Sequence, residues 1–263
     1  MRNKIDTRLG DIISNCQEPS LREAMSYSVS AGGKRMRPLL LLGACEAASG
    51  EYTKEAMDFA CGLELIHNYS LIHDDLPAMD NDDFRRGKPT CHKQFGEAMA
   101  ILAGDALLNR AYETMIQACI NNPEDFPAMK IISAAAGDNG MIAGQVIDIR
   151  FQNKKPDKET MLNMYKLKTG ALFAAAFEAG AILGKAADSY VTDMKAVGEK
   201  LGRAFQIQDD IIEETDYAAI FGMEEAKAEY KQISSEALNL LNKLPQKTQT
   251  LETIVQEVIN RSY

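Results

Sequence analysis

An all-α fold is what this chain predicts, on three observations. Long stretches rich in Ala, Leu, Met, Glu and Lys repeat their apolar residues with helical periodicity. Short Gly, Pro and Asn signals separate those stretches. Alternating β-branched runs with hairpin turns are scarce, which argues against a substantial sheet.

In chain order, helices are expected at about 3–15 and 20–30, up to the Gly32-Gly33 break, with ends good to a few residues. Pro38 opens the next, about 37–49, because proline suits a first helical turn. A helix at about 54–76 carries the apolar segment Leu63 to Ile72, and Pro77 bends or ends it. Further helices are expected at about 94–120, 127–150, 157–183, 188–213, 222–243 and 247–261. Thr169 to Leu183 is apolar on more than one face, as in the central helix of a large bundle, although its small residues suit a cavity lining equally. No Pro/Ser-rich linker or low-complexity tract interrupts the chain, so residues 1–263 are expected to form one domain.

Composition narrows the class of function. A hydrophobic fraction of 46% supplies a sizeable core, and no apolar run reaches the roughly 18 residues of a membrane span. The net charge of -9 speaks against a nucleic-acid partner, which needs a basic footprint. Cys16, Cys45, Cys61, Cys91 and Cys119 show no paired spacing, as expected of reduced core thiols in a cytoplasmic protein. The N-terminus, Met1 to Asp6, lacks the apolar stretch of a signal peptide.

Five aspartates, Asp74, Asp75, Asp80, Asp82 and Asp83, crowd the end of the apolar helix and are followed by Arg85, Arg86 and Lys88. Carboxylates at a helix C-terminus face the negative end of the dipole and call for a compensating cation. Mg2+ takes one or two carboxylates and completes its shell with phosphate oxygens and water. Arginine supplies forked donors for the same phosphates. Acid, metal and arginine together describe a diphosphate site. A solvated acidic loop is the plainer reading of such a charge run. A calcium loop starting at Asp80 is excluded because Arg85 stands where glycine is needed.

A second acid cluster lies in FQIQDDIIEE at 205–214, where Gln206, Asp209 and Glu213 share a helix face. Two such clusters, each ending an apolar helix, suggest facing walls of one cleft. Ala31 to Pro38 adds two glycines, Lys34 and Arg37 ahead of a helix N-terminus, a favourable place for an anion. Lys168-Thr169-Gly170 suits phosphate or simply a helix surface.

The motifs GGKRMRP at 32–38, HNYSLIHDDLPAMDNDDFRRGKPTCH at 67–92, AILAGDALL at 100–108, GMIAGQVID at 140–148, KTG at 168–170 and FQIQDDIIE at 205–213 occur in the order seen in one family. The chain resembles the short-chain polyprenyl (isoprenyl) diphosphate synthases, and is most similar to the bacterial farnesyl type. The resemblance implies an isoprenoid-synthase fold, a large helical bundle around a central cavity, and a homodimer. It implies condensation of isopentenyl diphosphate with an allylic diphosphate, dimethylallyl or geranyl, assisted by roughly three Mg2+ ions per active site.

By motif, Asp74, Asp75 and Asp80 resemble the first set of metal ligands, and Asp209, Asp210 and Glu213 the second. Arg85, Lys168, Thr169 and Gln206 match positions that hold the allylic diphosphate. Lys34, Arg37, His67 and Arg86 match those that hold isopentenyl diphosphate. His67, two turns before Asp74 on the same face, would otherwise read as a core histidine. Tyr69, beside Ser70 and five residues before Asp74, matches the pocket floor that limits the product to farnesyl diphosphate, helped by the two-residue insertion Pro77-Ala78. If Tyr69 merely packs against a neighbouring helix, geranylgeranyl diphosphate follows instead.

Two departures stand out. Glu213 replaces the family's usual aspartate, and Glu214 runs directly into Thr215 where the family has around twenty more residues, including a lysine-bearing lid. Either a stretch between Glu214 and Thr215 is left out of the sequence as written, or the lid is truly deleted. Omission is the favoured reading, because such lids are often mobile without ligand. A true deletion would put catalysis in doubt while binding survives, as in a non-catalytic partner subunit. Other enzyme classes fit less well. A His-Asp metal phosphohydrolase needs more histidines than His67, His73 and His92, and a terpene cyclase has no use for the Gly-Gly-Lys-Arg segment.

Overall fold

The computed structural model describes residues 1–152 and 154–261. Helix dominates, and among the described residues the strands are two residues long each. The chain divides into two compact units, residues 1–39 with 53–124, and residues 40–52 with 125–263.

The first unit holds α1 (Arg2–Ser14), α2 (Pro19–Ser30), the start of α3 (Met36–Ser49), α4 (Lys54–Asp74), β1 (Phe84–Arg85), β2 (Lys88–Pro89), α5 (Cys91–Phe95) and α6 (Glu97–Asn121). Thr53 caps α4 by accepting the Ala56 amide at 3.1 Å, and Pro19 opens α2 behind the Glu18 cap. α4 buries residues on every side, from Ala56 through Ile72, so it forms the core of this unit, with α1, α2 and α6 packed on it. Small residues let α6 approach: at Gly62 an added Cβ would lie 2.8 Å from Met115 Cγ.

The second unit holds the rest of α3, a 3-10 turn at 123–125 that straddles its start, and α7 (Phe126–Ala136), α8 (Met141–Phe151) and α9 (Lys158–Tyr165). A π-helical segment, Lys166–Gly170, follows, then α10 (Ala171–Leu183), α11 (Asp188–Glu213), α12 (Asp216–Phe221), α13 (Met223–Lys243) and α14 (Gln249–Ile259). α10, the segment read as apolar on several faces, is central here and packs against α7 and α11. Gly198 and Gly202 of α11 make close approaches: an added Cβ would lie 2.8 Å from the α10 backbone at Gly198, and 2.8 Å from Gly170 Cα of the π segment at Gly202.

Two expected helices are broken. The 127–150 stretch is interrupted at Gly137–Gly140, and the 157–183 stretch changes to π geometry at Lys166–Gly170.

Candidate active site

The first acid cluster is shaped by the end of α4. Asp74 is its last residue, Asp75 caps it, and the chain then doubles back so that the Asp80 amide donates to the Asp74 carbonyl at 2.9 Å. Asn81, in the left-handed region at φ 56°, completes the turn by donating to Leu76 O at 3.1 Å. Asp74 and Asp80 are thereby neighbours. Arg85 is delivered by the β1–β2 ribbon, whose two-residue turn, Arg86-Gly87, has both φ angles positive, the geometry of a primed hairpin turn.

Asp75 is 3% exposed, and both its oxygens accept from Arg85 Nε, at 2.8 and 3.0 Å. Burial raises its pKa even though Arg85 opposes the shift. Its two neighbours in the loop also have cations, Asp82 from Arg85 at 3.6 Å and Asp83 from Lys93 at 2.7 Å.

The basic loop joins the same unit. Gly32 and Gly33 have φ of 101° and 132°, and Arg86 donates to the Gly32 carbonyl. An added Cβ on Gly33 would lie 2.9 Å from the Arg86 guanidinium, so this close approach requires glycine. His67 on α4 is half-buried, and its pKa is pushed well below 6.5 by desolvation first, then by Arg37, Arg86, Arg85 and Arg35. Those arginines disfavour the imidazolium. Lys34 is exposed in the loop, while its carbonyl accepts from Arg2 at 3.2 Å. Tyr69 is buried and meets the His73 ring edge-on with centroids 5.7 Å apart. Desolvation pushes its phenol up to about 12. The Ser70 hydroxyl turns back to the His67 carbonyl at 2.9 Å.

In the second unit, the π segment carries Lys168 and Thr169. Such bulges often occur at functional sites, because one extra residue per turn re-aims the side chains. Thr169 donates to Gln206 Oε1 at 2.8 Å, and Gln206 donates to Asp210 Oδ1 at 3.1 Å. Asp210 is 1% exposed and also accepts from Tyr165 OH at 2.5 Å and the Tyr217 amide at 3.4 Å. Desolvation raises its carboxyl to about 7 against the pull of Tyr165 and Gln206. Lys168 donates to Asp148, and an added Cβ on Gly144 of α8 would lie 2.5 Å from Lys168 Cα. Asp209 accepts from Arg261 at 2.5 Å, whose guanidinium lies 3.4 Å from the Phe205 ring centre. Glu213 is the exposed last residue of α11.

Among the described residues, no three His, Cys, Asp or Glu side chains converge as a preformed metal cage. Mg2+ takes one or two carboxylates, with phosphate oxygens and water completing its shell. Asp74, Asp75, Asp80, Asp209, Asp210 and Glu213 are the oxygen donors that could hold one.

Several participants carried no role at the level of motifs. Asp148 lies within GMIAGQVID, and Tyr165 stands three residues before Lys168. Arg35 stands within GGKRMRP with no role of its own assigned there, and Glu64 and Arg261 gave no signal beyond their charge. Their parts depend on contacts between distant segments, which spacing does not encode.

An all-α chain whose acid clusters stand among arginines, lysine and a neutral histidine belongs to the class of divalent-metal enzymes that handle diphosphates. The profile described as Polyprenyl synthetase matches residues 18–261, and the chain belongs to that family. It is 36% identical to the farnesyl diphosphate synthase of Micrococcus luteus, over 92% of this chain and 89% of that one. It is 45% identical to geranylgeranyl pyrophosphate synthase 11, chloroplastic, of Arabidopsis thaliana, over 76% of this chain and 58% of that one. The crystal structure of geranyltransferase from Legionella pneumophila superposes with a TM-score of 0.91 at 32% identity, covering 99% of this chain and 95% of that one. The fold is that of the isoprenoid synthases, as the motifs implied. The Micrococcus alignment runs over 261 positions yet takes in 92% of this chain, roughly 242 residues, so about 19 positions face gaps here.

Proposed function

We propose that the chain condenses isopentenyl diphosphate with dimethylallyl and geranyl diphosphate to give farnesyl diphosphate, with Mg2+ as its metal. The observation that carries this reading is the first unit's grouping of Asp74 and Asp80 beside Arg85, with His67, Arg37 and Arg86 gathered close by. Asp74, Asp75, Asp80, Asp209, Asp210 and Glu213 hold the metal, about three ions with substrate bound. Mg2+, when bound, supplies positive charge that neutralises a departing diphosphate.

Arg85, Lys168, Thr169 and Gln206 bind the allylic diphosphate, and Lys34, Arg37, His67 and Arg86 bind isopentenyl diphosphate. These cations stabilise charge as the allylic C–O bond breaks. The double bond of isopentenyl diphosphate attacks the allylic carbon, and a proton then leaves to the released diphosphate. Asp75 and Asp210, metal ligands by motif, are engaged by Arg85 and by Tyr165 with Gln206. Asp209 is likewise engaged, by Arg261, so such a contact does not set any of them outside the metal set.

Tyr69 closes the floor of the apolar pocket, with Ser70 beside it; an open floor would give geranylgeranyl diphosphate. The exposed apolar residues Ile101, Leu102, Ile116 and Ile120 of α6 support a homodimer. No described helix is long and apolar enough to cross a membrane, and we place the enzyme in the cytoplasm with no nucleic-acid partner. The family profile runs through both compact units, which supports one working domain. A second reading, a non-catalytic partner subunit, is favoured by one observation: α11 passes into α12 with no lysine-bearing segment between them.

The test incubates the protein with isopentenyl and geranyl diphosphates, with Mg2+ or with EDTA, and identifies the dephosphorylated alcohols by mass. Mg2+-dependent farnesol supports the reading, and geranylgeraniol keeps the chemistry but removes the floor. Binding without condensation favours the partner subunit, and hydrolysis alone overturns the assignment.

A further inference from the structure

Of the basic side chains in the Gly32–Pro38 loop, that of Arg35 turns inward. It is 6% exposed, whereas neighbouring Lys34 is exposed and Arg37 is half-buried. Its backbone sits at φ 51°, a conformation that residues with a side chain seldom adopt unless their surroundings hold them there. What holds it is the guanidinium. Nε donates to Asp6 of α1 at 2.8 Å, one terminal nitrogen to Glu64 of α4 at 2.8 Å, and the other to the Val29 carbonyl of α2 at 2.6 Å.

Glu64 is itself 2% exposed and accepts from Asn68 Nδ2 at 3.3 Å, so the pair is a buried, hydrogen-bonded ion pair. Ahead of Arg35 the loop carbonyls are also taken by arginines, Gly32 O by Arg86 and Lys34 O by Arg2. The Arg35 carbonyl accepts the Leu39 amide at 3.1 Å and so starts the first turn of α3, which carries Arg37. Every one of these atoms belongs to the first unit.

We propose that Arg35, pinned by Glu64 and Asp6, is a positioning residue for the second diphosphate: it fixes the backbone that presents Lys34 and Arg37 on either side of it. The inference rests on the reading of this loop as the isopentenyl diphosphate site. Three partners in three directions demand the rigid fork of arginine, and the point charge of lysine cannot serve them together. Glu64 does double duty, because it also lies among the charges that act on Arg86, where arginines would otherwise repel one another.

The experiment compares full-length Arg35→Lys, Glu64→Gln and Arg37→Ala with the unaltered chain. Calorimetry measures the Kd of isopentenyl diphosphate and of geranyl diphosphate, and thermal melting measures folding. Arg35→Lys and Glu64→Gln are expected to weaken isopentenyl diphosphate about tenfold or more while geranyl diphosphate changes less than about twofold. A folded Arg35→Lys protein that binds isopentenyl diphosphate normally, while Arg37→Ala does not, overturns the positioning role and leaves the site reading intact. Normal binding by Arg37→Ala overturns both. Should Arg35→Lys fail to fold, Glu64→Gln decides: a lowered melting temperature with unchanged affinity marks the pair as structural only and refutes the proposal.

Discussion

Replacing Gly104 by alanine tests the packing that sets the end of α4. An added Cβ there would fall well inside van der Waals contact with His73 Nε2 and Cδ2, and 2.9 Å from Cε1. The imidazole must swing away, losing the 3.1 Å contact of Nε2 with the Ile101 carbonyl and disturbing the edge-on contact with Tyr69. Forcing a side chain into a filled space costs about 1–3 kcal/mol, and a lost hydrogen bond about 1 kcal/mol. Alanine recovers ~1 kcal/mol of helix propensity. The net is a destabilisation of about 1–3 kcal/mol, or a melting temperature lower by roughly 2–10 °C for a chain of this size. Gly10 of α1 is the control, because nothing lies within 4 Å of its added Cβ. Gly10→Ala is therefore expected to raise the melting temperature slightly, through the same propensity gain. Melting both variants by circular dichroism settles the matter. Equal shifts in the same direction would refute the argument, since the His73 contact would then carry no cost.

Three other perturbations have defined outcomes. Tyr69→Ala removes the proposed floor beneath Asp74 and should lengthen the prenyl product seen by mass; an unchanged product takes Tyr69 out of that role. Tyr165→Phe strips one of the bonds on buried Asp210 and should cost about 1–3 kcal/mol in urea unfolding, with no loss expected if the hydroxyl is idle. His67 is held below its ordinary pKa in the folded state, so the unfolded chain binds the proton more tightly. Stability should therefore fall as pH drops below about 6.5 and be fully present above it. His67→Gln should flatten that slope in denaturant titrations, and a slope equal to the unaltered chain's would count against it.

The order of helices was readable from periodicity because each long helix has a buried face, and in α4 and α10 nearly every face is buried. α5 and α12 were not, since five or six residues are too few to display a period. The Gly137–Gly140 break was written in plain turn chemistry, Gly-Asp-Asn-Gly, inside a stretch whose apolar content pointed to helix throughout. The π segment at Lys166–Gly170 has no compositional mark, for it differs from α-helix only in hydrogen-bond register. Site residues were legible as chemistry and not as wiring. Asp75 and Asp210 read like their neighbours Asp74 and Asp209, and only their burial against Arg85 and Tyr165 sets them apart.

The junction of α11 and α12 has a consequence for how this chain can be altered. Glu214, at φ 56°, ends one helix by its own local geometry, and extended Thr215 begins the next. The joint opens beside exposed Glu213 and is tied back to α11 by the Thr215 amide on the Asp210 carbonyl at 3.0 Å and the Tyr217 amide on the Asp210 carboxylate at 3.4 Å. Closing a loop costs only ~0.6 kcal/mol more for each doubling of its length. The joint is therefore a graft point, where a lysine-bearing segment of family length can be spliced in at small entropic cost, giving up the Thr215 bond to Asp210.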